Sequence, residues 1–221
     1  MYLVKTPWWL KKLYPQLIWK AEPGTRSIFL TFDDGPIPIV TAYVLNILKK
    51  YDAKATFFCI GDNVRKHPDI FEDVKKSGHT IGNHTFNHLK GWATEDDIYL
   101  DNFIKADKLL DTPFFRPPYG RIKRSQIKLL KQARPDLEII MWDVLSGDFD
   151  MALKPQEALK NVVDNAADGS IVLFHDSIKA FHKMEYALPL VLEHFSKLGY
   201  TFKGLSPSAG AGFGKAIKSN G

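Results

Sequence analysis

The run Ser27-Ile-Phe-Leu-Thr-Phe32, followed by Asp33-Asp-Gly-Pro36, sets the fold that the rest of the chain continues. Its apolar and β-branched residues predict a short buried strand, and the Asp-Asp-Gly-Pro turn ends that strand. Apolar residues then recur at three- and four-residue spacing from Ile39 to Leu48, which predicts the buried face of a helix. The stretch therefore predicts a βα unit with an acidic turn at the carboxyl end of its strand.

The same pattern of strand and helix recurs along the chain. We predict further strands at 55–61, 79–83, 114–116, 138–144, 170–175 and 200–203. We predict further helices at 68–77, from a capping box at Thr94 and Asp97, and at 125–133, 155–167 and 184–198. Strands that alternate with helices imply a parallel sheet with right-handed crossovers, which is either open and doubly wound or closed into a barrel.

Acidic, histidine and arginine residues follow strand after strand on the exit side. They are Asp33, His84, Arg116, Asp148 and His175. An open sheet gathers its ligand groups at one switch point, whereas a barrel brings every strand end to a single mouth. The distribution favours an α/β barrel, and the strand count favours one with fewer than eight strands.

The composition predicts one ordinary globular domain. The chain has 221 residues, of which 45% are hydrophobic and 25% charged, and this length fits a single core. We expect an N-terminal segment at 1–26 that packs on the domain, a barrel at 27–205, and a flexible tail at 206–221 that is rich in small residues.

Charge and hydropathy exclude several classes of partner. The net charge of +5 is spread over scattered Lys and Arg residues, so we expect no nucleic-acid partner. No stretch supplies the roughly 18 consecutive apolar residues of a transmembrane helix, and the N-terminus lacks the pattern of a secretory signal. We therefore expect a cytoplasmic monomer. The paired Trp8 and Trp9 with their flanking lysines leave a peripheral membrane or cell-envelope location open.

The segment His84-Thr-Phe-Asn-His88 carries two imidazoles four residues apart. On a helix or a helical turn this spacing puts both rings on one face and within reach of one ion. The segment lacks the glutamate of the metalloprotease helix motif, so a general base must come from elsewhere. For the spacing alone, a pair of surface or core-edge histidines is the favoured interpretation.

Two adjacent carboxylates, Asp33 and Asp34, can divide the remaining tasks, with one binding metal while the other activates water. A simple turn is the alternative for this pair. Arg116 can hold a carboxylate bidentately from a loop stiffened by two prolines. His175, at the end of another predicted strand, can donate the proton that a carboxylate base leaves missing. These residue types together predict metal-assisted hydrolysis.

These motifs together resemble the polysaccharide deacetylases that share the NodB homology domain, also called carbohydrate esterase family 4. The resemblance covers about residues 27–203. Its first, second, third and fifth motifs match Thr31-Phe-Asp-Asp-Gly-Pro36, His84-Thr-Phe-Asn-His88, Arg116-Pro-Pro-Tyr-Gly120 and Leu173-Phe-His175. The resemblance implies a distorted (β/α)7 barrel and a hydrolase that removes acetyl groups from acetylated glycans.

The resemblance also implies roles for single residues. The catalytic set would be Asp33 as base, His175 as acid, Arg116 orienting Asp33, Asp148 supporting His175, and the backbone N–H of Tyr119 at the oxyanion. The metal ligands would be Asp34, His84 and His88. The substrate-binding residues would be Tyr119, Leu173, Trp142 and Phe149, with Leu173 lining the pocket for the acetyl methyl group.

The fourth motif departs from the family pattern. The family usually shows Asp-Ser-x-Asp-Trp where this chain has Leu145-Ser-Gly-Asp-Phe149. Asp148 still matches, and Phe149 narrows the aromatic wall beside the sugar. This departure leaves open which glycan is the substrate, but it does not change the expected chemistry of catalysis.

Three protein ligands leave a position of one divalent metal ion open, and we expect Zn²⁺, with Co²⁺ or Ni²⁺ able to substitute. A facial triad of non-haem iron is an alternative for this ligand set, but such enzymes need no acid and base beside the metal. We expect N-acetyl hydrolysis on N-acetylglucosamine-containing glycans of the peptidoglycan or chitin type. An O-acetyl esterase of the acetylxylan type and an inactive glycan-binding protein are the alternatives.

Overall fold

The computed structural model describes residues 2–21, 24 and 26–207. Its parallel strands are β1 Ser27–Asp33, β2 Thr56–Cys59, β3 Thr80–Asn83, β4 Phe114–Phe115, β5 Glu138–Ile139, β6 Val144–Leu145, β7 Ile171–His175 and β8 Thr201–Phe202. They form a sheet in the order β5-β4-β3-β2-β1-β7-β6, and β8 pairs with the start of β1. The predicted fold class, a barrel of strands and helices of the (β/α)7 type, is confirmed.

Strand β1 lies in the middle of the sheet because its side chains are buried on both faces. Ile28, Leu30 and Phe32 pack in the main hydrophobic core with the surrounding helices. Successive side chains of a strand point to opposite faces, so Thr31 and Asp33 face the barrel interior. The alternation thus delivers Asp33 to the inside of the barrel mouth.

Six of the eight α-helices in the described residues begin and end close to the predicted positions. The eight are α1 Trp8–Leu13, α2 Val40–Lys50, α3 Gly61–Lys66, α4 Pro68–Lys76, α5 Asp96–Leu110, α6 Arg124–Ala133, α7 Pro155–Val163 and α8 Phe181–Lys197. The short helices α1 and α3 were not predicted; α1 lies in the N-terminal segment, and α3 follows β2 without a turn signal. The predicted capping box is wrong: Glu95 precedes α5 without a side-chain cap, and the Thr94 hydroxyl donates to the Lys90 carbonyl.

The single strand predicted at 138–144 is wrong, since the structure has two short strands, β5 and β6, with a bend between them. The reason lies in the Arg116 side chain inside the barrel. Its Nε donates to the Ile140 carbonyl at 3.2 Å and its Nη2 to the Met141 carbonyl at 2.8 Å. These carbonyls therefore point at the guanidinium instead of at a neighbouring strand.

The N-terminal segment fills the opening between β5 and β6. The Ile18 N–H donates to the Ile139 carbonyl at 2.9 Å, and the Ile18 carbonyl accepts from Met141 at 2.7 Å. Nearer the start of the segment, the Val4 carbonyl accepts a hydrogen bond from the Leu145 N–H of β6 at 2.8 Å. The barrel wall is thus completed by residues that lie before its first strand.

Buried Asp143 anchors this segment by side-chain contacts. Its carboxylate accepts from Lys5 and Lys11, each at 2.6 Å, and from the Ser170 hydroxyl at 2.7 Å. Burial works to raise the pKa of Asp143, but these three donors outweigh it and lower that pKa.

No helix in the described part of the chain is long and apolar enough to cross a membrane. The tail expected at 206–221 lies outside the described residues from 208 onward.

Candidate active site

The two adjacent carboxylates at the end of β1 point in different directions because the backbone turns between them. Asp34 has a φ of +87°, and the Asn63 side chain donates to its carbonyl at 2.7 Å. The next N–H, that of Gly35, donates to the Asp176 carboxylate at 2.9 Å. A Cβ on Gly35 would lie 2.0 Å from an oxygen of Asp176, so only glycine fits this turn.

Arg116 lies fully buried behind Asp33 and holds one of its oxygens. Nη1 of Arg116 lies 2.7 Å from Oδ1 of Asp33 and 2.8 Å from the Thr31 hydroxyl. The expected bidentate pairing is wrong, since the other guanidinium nitrogens donate to main-chain carbonyls of the β5–β6 bend. Arg116 therefore holds Asp33 by one charge-assisted hydrogen bond, and the second oxygen of Asp33, Oδ2, faces the cavity.

His84 and His88 approach each other on an irregular turn, so the expected helical placement is wrong. Thr85 and His88 have φ values of +62° and +57°. The Asn102 side chain of α5 accepts the N–H groups of Phe86 and Asn87, each at 2.9 Å, and holds this turn in place. The two imidazole centroids lie 5.0 Å apart.

The ring of His84 has a defined tautomer. Its Nδ1 lies 2.7 Å from the Arg116 carbonyl, and because a carbonyl only accepts, Nδ1 carries the proton. Burial lowers the pKa of His84 to about 4, which leaves the imidazole neutral at neutral pH. The lone pair of Nε2 therefore faces Asp34, as a metal ligand requires.

Asp34, His84 and His88 form a set of side chains that fits a divalent metal ion. Oδ1 of Asp34 lies 3.8 Å from Nε2 of His84 and 3.2 Å from Nε2 of His88. Ligands about 2.0 Å from a tetrahedral ion are about 3.3 Å apart, so these distances suit one ion. Oδ1 is buried and has no hydrogen-bond donor among the described residues, and a cation held by the three side chains would satisfy it. Burial works to raise the pKa of Asp34, but the nearby imidazoles outweigh it and lower that pKa.

His175 lies at the end of β7, next to Asp33. It is the register partner of Asp33, which places the two residues side by side on neighbouring parallel strands. Asp148, fully buried, accepts from Nδ1 of His175 at 2.8 Å and from its backbone N–H at 2.8 Å. Burial works to lower the pKa of His175, but the Asp148 carboxylate outweighs it and raises that pKa to about 9.

One cavity of about 620 Å³ unites these groups. The predicted residues that line it are Asp33, Asp34, His84, His88, Tyr119, Trp142, Phe149, Leu173 and His175. Tyr119 is 59% exposed, and its ring centroid lies 4.6 Å from that of His88; the ring of Phe149 lies edge-on to His175, with centroids 5.3 Å apart. Arg116 and Asp148 stand behind this surface, so they act on the cavity through Asp33 and His175.

Sequence reasoning missed the residues that hold the turns of the site. Asp176 accepts from Gly35 and from the Thr41 hydroxyl at 2.6 Å, and burial raises the pKa of Asp176 to about 8. Its position directly after His175 was the available signal. Asn63 and Asn102 lie in helices far along the chain from the turns they hold, and no local pattern marks them.

Comparison with known proteins agrees with this geometry. The family model for polysaccharide deacetylase matches residues 20–135. A peptidoglycan-N-acetylglucosamine deacetylase of Bacillus cereus is 36% identical over 87% of this chain and 93% of its own length. A chitooligosaccharide deacetylase of Azorhizobium caulinodans is 36% identical over 71% of this chain and 77% of its own length.

A solved structure is similar over almost the whole fold. It is the crystal structure of a peptidoglycan N-acetylglucosamine deacetylase in complex with 4-naphthalen-1-yl-N-oxidanyl-benzamide, with a TM-score of 0.81 and 29% identity. The likeness covers 90% of this chain and 95% of that one. With the family model, the relatives and the fold in agreement, the chain belongs to the polysaccharide deacetylase family.

Proposed function

We propose that this chain is a metal-dependent hydrolase that removes N-acetyl groups from N-acetylglucosamine-containing poly- or oligosaccharides of the peptidoglycan or chitin type. One observation carries the proposal. Asp33 held by Arg116 and His175 held by Asp148 are register partners that face one cavity, beside the set Asp34, His84 and His88. A base, an acid and a metal site are thus arranged around a single point of reaction.

The metal site determines what kind of hydrolysis this can be. Asp34, His84 and His88 would hold one divalent ion, with Zn²⁺ as the first choice and Co²⁺ or Ni²⁺ as substitutes, since two imidazoles and one carboxylate suit these ions. Such an ion, when bound, polarises a carbonyl and makes water more acidic. The residues around it supply the proton transfers.

Asp33 is the proposed base. Since Arg116 occupies its Oδ1, Oδ2 accepts the proton from the water that attacks the acetamide carbon. His175, kept protonated by Asp148, donates a proton to the sugar nitrogen as the C–N bond breaks. The products are acetate and a free amine. Proton donation by His175 is required because an amide nitrogen leaves poorly without it.

The remaining cavity residues would position the acetyl group and the sugar. We assign the backbone N–H of Tyr119 to the oxyanion and Leu173, which is 2% exposed, to the acetyl methyl group. The rings of Trp142 and Phe149 would flank the sugar, whose C–H faces pack on aromatic surfaces.

The test is acetate release by purified protein supplied with Zn²⁺ from chitin oligomers, peptidoglycan and acetylxylan in parallel. We expect release from the N-acetylated glycans, and Asp33→Asn should reduce it by at least about 10³-fold, as loss of an essential base does. Asp69→Asn, on the exposed surface of α4, is the matched control and should retain full activity. An absence of release from every acetylated glycan would refute the proposal, and binding without turnover would favour the glycan-binding alternative.

The aromatic contact of Phe149 with His175 gives the O-acetyl esterase alternative a specific basis, because the fourth motif departs from the family pattern at this residue. Hydrolysis of an acetyl ester releases an alcohol, which needs less help from a proton donor than the amine released from an amide. Ester hydrolysis therefore depends less on the acid. If esters were the natural substrates, His175→Asn would lower activity on acetylxylan far less than activity on chitin oligomers, and the unaltered protein would prefer acetylxylan.

A further inference from the structure

A second cavity of about 420 Å³ lies beside the catalytic cavity, between the N-terminal segment and residues 119–122. The two cavities share a wall formed by Tyr2, Tyr119, Gly120, Arg121, Trp142 and Leu145. Tyr119 and Arg121 of this wall are exposed, so the two cavities adjoin at the protein surface, and a ligand whose acetylated sugar lies at Asp33 and His175 can pass over the wall into the second cavity. Its volume lies in the range of about 300–1,000 Å³ that is typical of small-molecule sites.

The lining of the second cavity is mostly aliphatic and aromatic. Leu3, Leu10, Leu13 and Leu17 line it from the N-terminal segment, and Met141 lines it from the β5–β6 bend. Leu3 and Leu13 are still 53% and 50% exposed. A bound apolar group would remove this surface from water, which is the main source of favourable free energy for such a ligand.

Three polar donors in the lining are already used by the protein. The Thr6 hydroxyl donates to the Trp142 carbonyl at 2.8 Å, and Nε1 of Trp19 donates to the Tyr14 carbonyl at 3.2 Å. Likewise, Nε1 of Trp92 donates to the Ile122 carbonyl at 3.2 Å. A sugar ring brings several hydroxyls that need partners when they are buried, whereas a hydrocarbon chain needs none. Four other polar side chains, Tyr2, Tyr119, Arg121 and Trp142, lie in the wall shared with the catalytic cavity, where the sugar would end. Beyond that wall the paired donors and the leucine side chains outweigh the single hydroxyl of Tyr14 and favour a hydrocarbon.

We propose that the second cavity binds the apolar part of an amphiphilic substrate, a glycan whose acetylated sugar is joined to a hydrocarbon chain. The inference rests on the proposed deacetylase activity and narrows its substrate class. The sugar lies in the catalytic cavity, and the chain crosses the shared wall at Trp142 and Leu145 to lie against Leu10.

The test compares acetate release from the methyl, butyl and octyl glycosides of N,N′-diacetylchitobiose, below the concentrations at which they form micelles. Each buried methylene strengthens binding by at most about fourfold, which corresponds to about 0.8 kcal/mol. We expect kcat/KM for the octyl glycoside to exceed that for the methyl glycoside by more than about tenfold, mostly through a lower KM. A ratio near one in the unaltered protein would overturn the inference.

Variants at Leu10 connect this preference to the second cavity. Leu10→Glu places a charge in it, and Leu10→Trp fills it without a charge. Each should bring the octyl-to-methyl ratio close to one, and a ratio measured within one preparation is insensitive to the fraction of folded enzyme. Leu109→Glu and Leu109→Trp, at a 46% exposed leucine on α5, are the matched controls and should keep the full ratio. A full ratio in both Leu10 variants would overturn the inference.

Two further measurements separate the other outcomes. The first measurement compares kcat/KM for a free tetrasaccharide with that for the free disaccharide. If this ratio equals the octyl-to-methyl ratio and falls to one in the Leu10 variants, the cavity binds sugar and the inference is wrong. If no glycoside releases acetate, the proposed activity fails, and tryptophan fluorescence then follows binding of the same glycosides. Binding that strengthens with chain length and is lost in the Leu10 variants would support the cavity's role without the activity. Binding that is independent of chain length would overturn it.

Discussion

Arg116 shows how one side chain can serve both structure and chemistry. It is fully buried, its Nη1 contacts Asp33, and its Nε and Nη2 bind carbonyls of the β5–β6 bend. It also lies over the Phe58 ring, with its central carbon 4.1 Å from the ring centroid. Lysine carries one donor atom in place of a planar fork and cannot reproduce these contacts.

We predict that Arg116→Lys lowers the free energy of unfolding by about 3–5 kcal/mol, the usual result of breaking a buried ion pair, and abolishes most acetate release. Urea unfolding and the deacetylase assay measure the two effects. Arg65→Lys, on the exposed side of α3 and paired with Asp62, is the matched control and should change stability by less than about 0.5 kcal/mol. A stable, active Arg116→Lys protein would contradict the role given to the guanidinium.

The contact of Asp148 with His175 predicts a defined pH dependence. The pKa of His175 is raised to about 9, so the protonated form of this proposed acid is present below that pH and is lost as the pH rises through it. In Asp148→Asn the raising influence of the carboxylate is gone, and the alkaline limb of kcat/KM should move to lower pH by more than about one unit. Asp69→Asn should leave this limb unchanged, and an unshifted limb in Asp148→Asn would show that His175 is not the titrating acid.

At the scale of elements, the N-terminal segment depends on the buried carboxylate of Asp143. We predict that Asp143→Asn lowers the free energy of unfolding by about 1–3 kcal/mol, because Lys5 and Lys11 lose a charged partner. Amide hydrogen exchange at residues 4–18 should rise more than exchange in β1. Asp164→Asn, at the end of α7, serves as the control.

The same carboxylate makes the attachment of the segment depend on pH. The pKa of Asp143 is lowered in the folded protein, so its stabilising contribution is present above the unfolded value of about 3.9 and is lost as the pH falls through the lowered value. We expect the unaltered protein to lose protection of the segment against exchange, measured relative to the intrinsic rate at each pH, only in acid. In Asp143→Asn the protection should already be lost at neutral pH. Equal exchange in both proteins at neutral pH would contradict this expectation.

At the scale of the whole molecule, the proposed metal site connects elements that are far apart in the sequence. A ligand that binds only the folded state stabilises it by about 2.7 kcal/mol at 100 times its Kd, and in a chain of this size each kcal/mol raises Tm by about 2–4 °C. We predict that saturating Zn²⁺ raises Tm by about 5–10 °C. His88→Ala should abolish the shift, while His182→Ala, at an exposed histidine of α8, should keep it. An unchanged Tm in the presence of metal would argue against the site.

The large-scale order of the fold could be predicted because strand and helix periodicity is local. The gathering of Asp33, His84 and His175 also followed from sequence, since parallel strands all end at one side of the sheet. The two histidines converge for a different reason from the one predicted, a turn held by Asn102 instead of a helix. The split of β5 from β6 depends on Arg116, 24 residues from Ile140, and such distant contacts leave no local pattern. The monomeric state, the compartment and the domain limits stay predictions.

The pairing of β1 with β7 joins residues about 140 positions apart, as the Thr31 to Val172 hydrogen bond shows. Pairing over so wide a separation is slow to form and has to wait for synthesis of the later strand. At about 5–20 residues per second, His175 is made roughly 4–17 s after His88. A nascent chain therefore carries the whole set Asp34, His84 and His88 before it has His175, the proposed acid. If the proposed roles hold, such a chain captures its cation before it is competent for catalysis, and the barrel cleaves nothing until its synthesis is nearly complete.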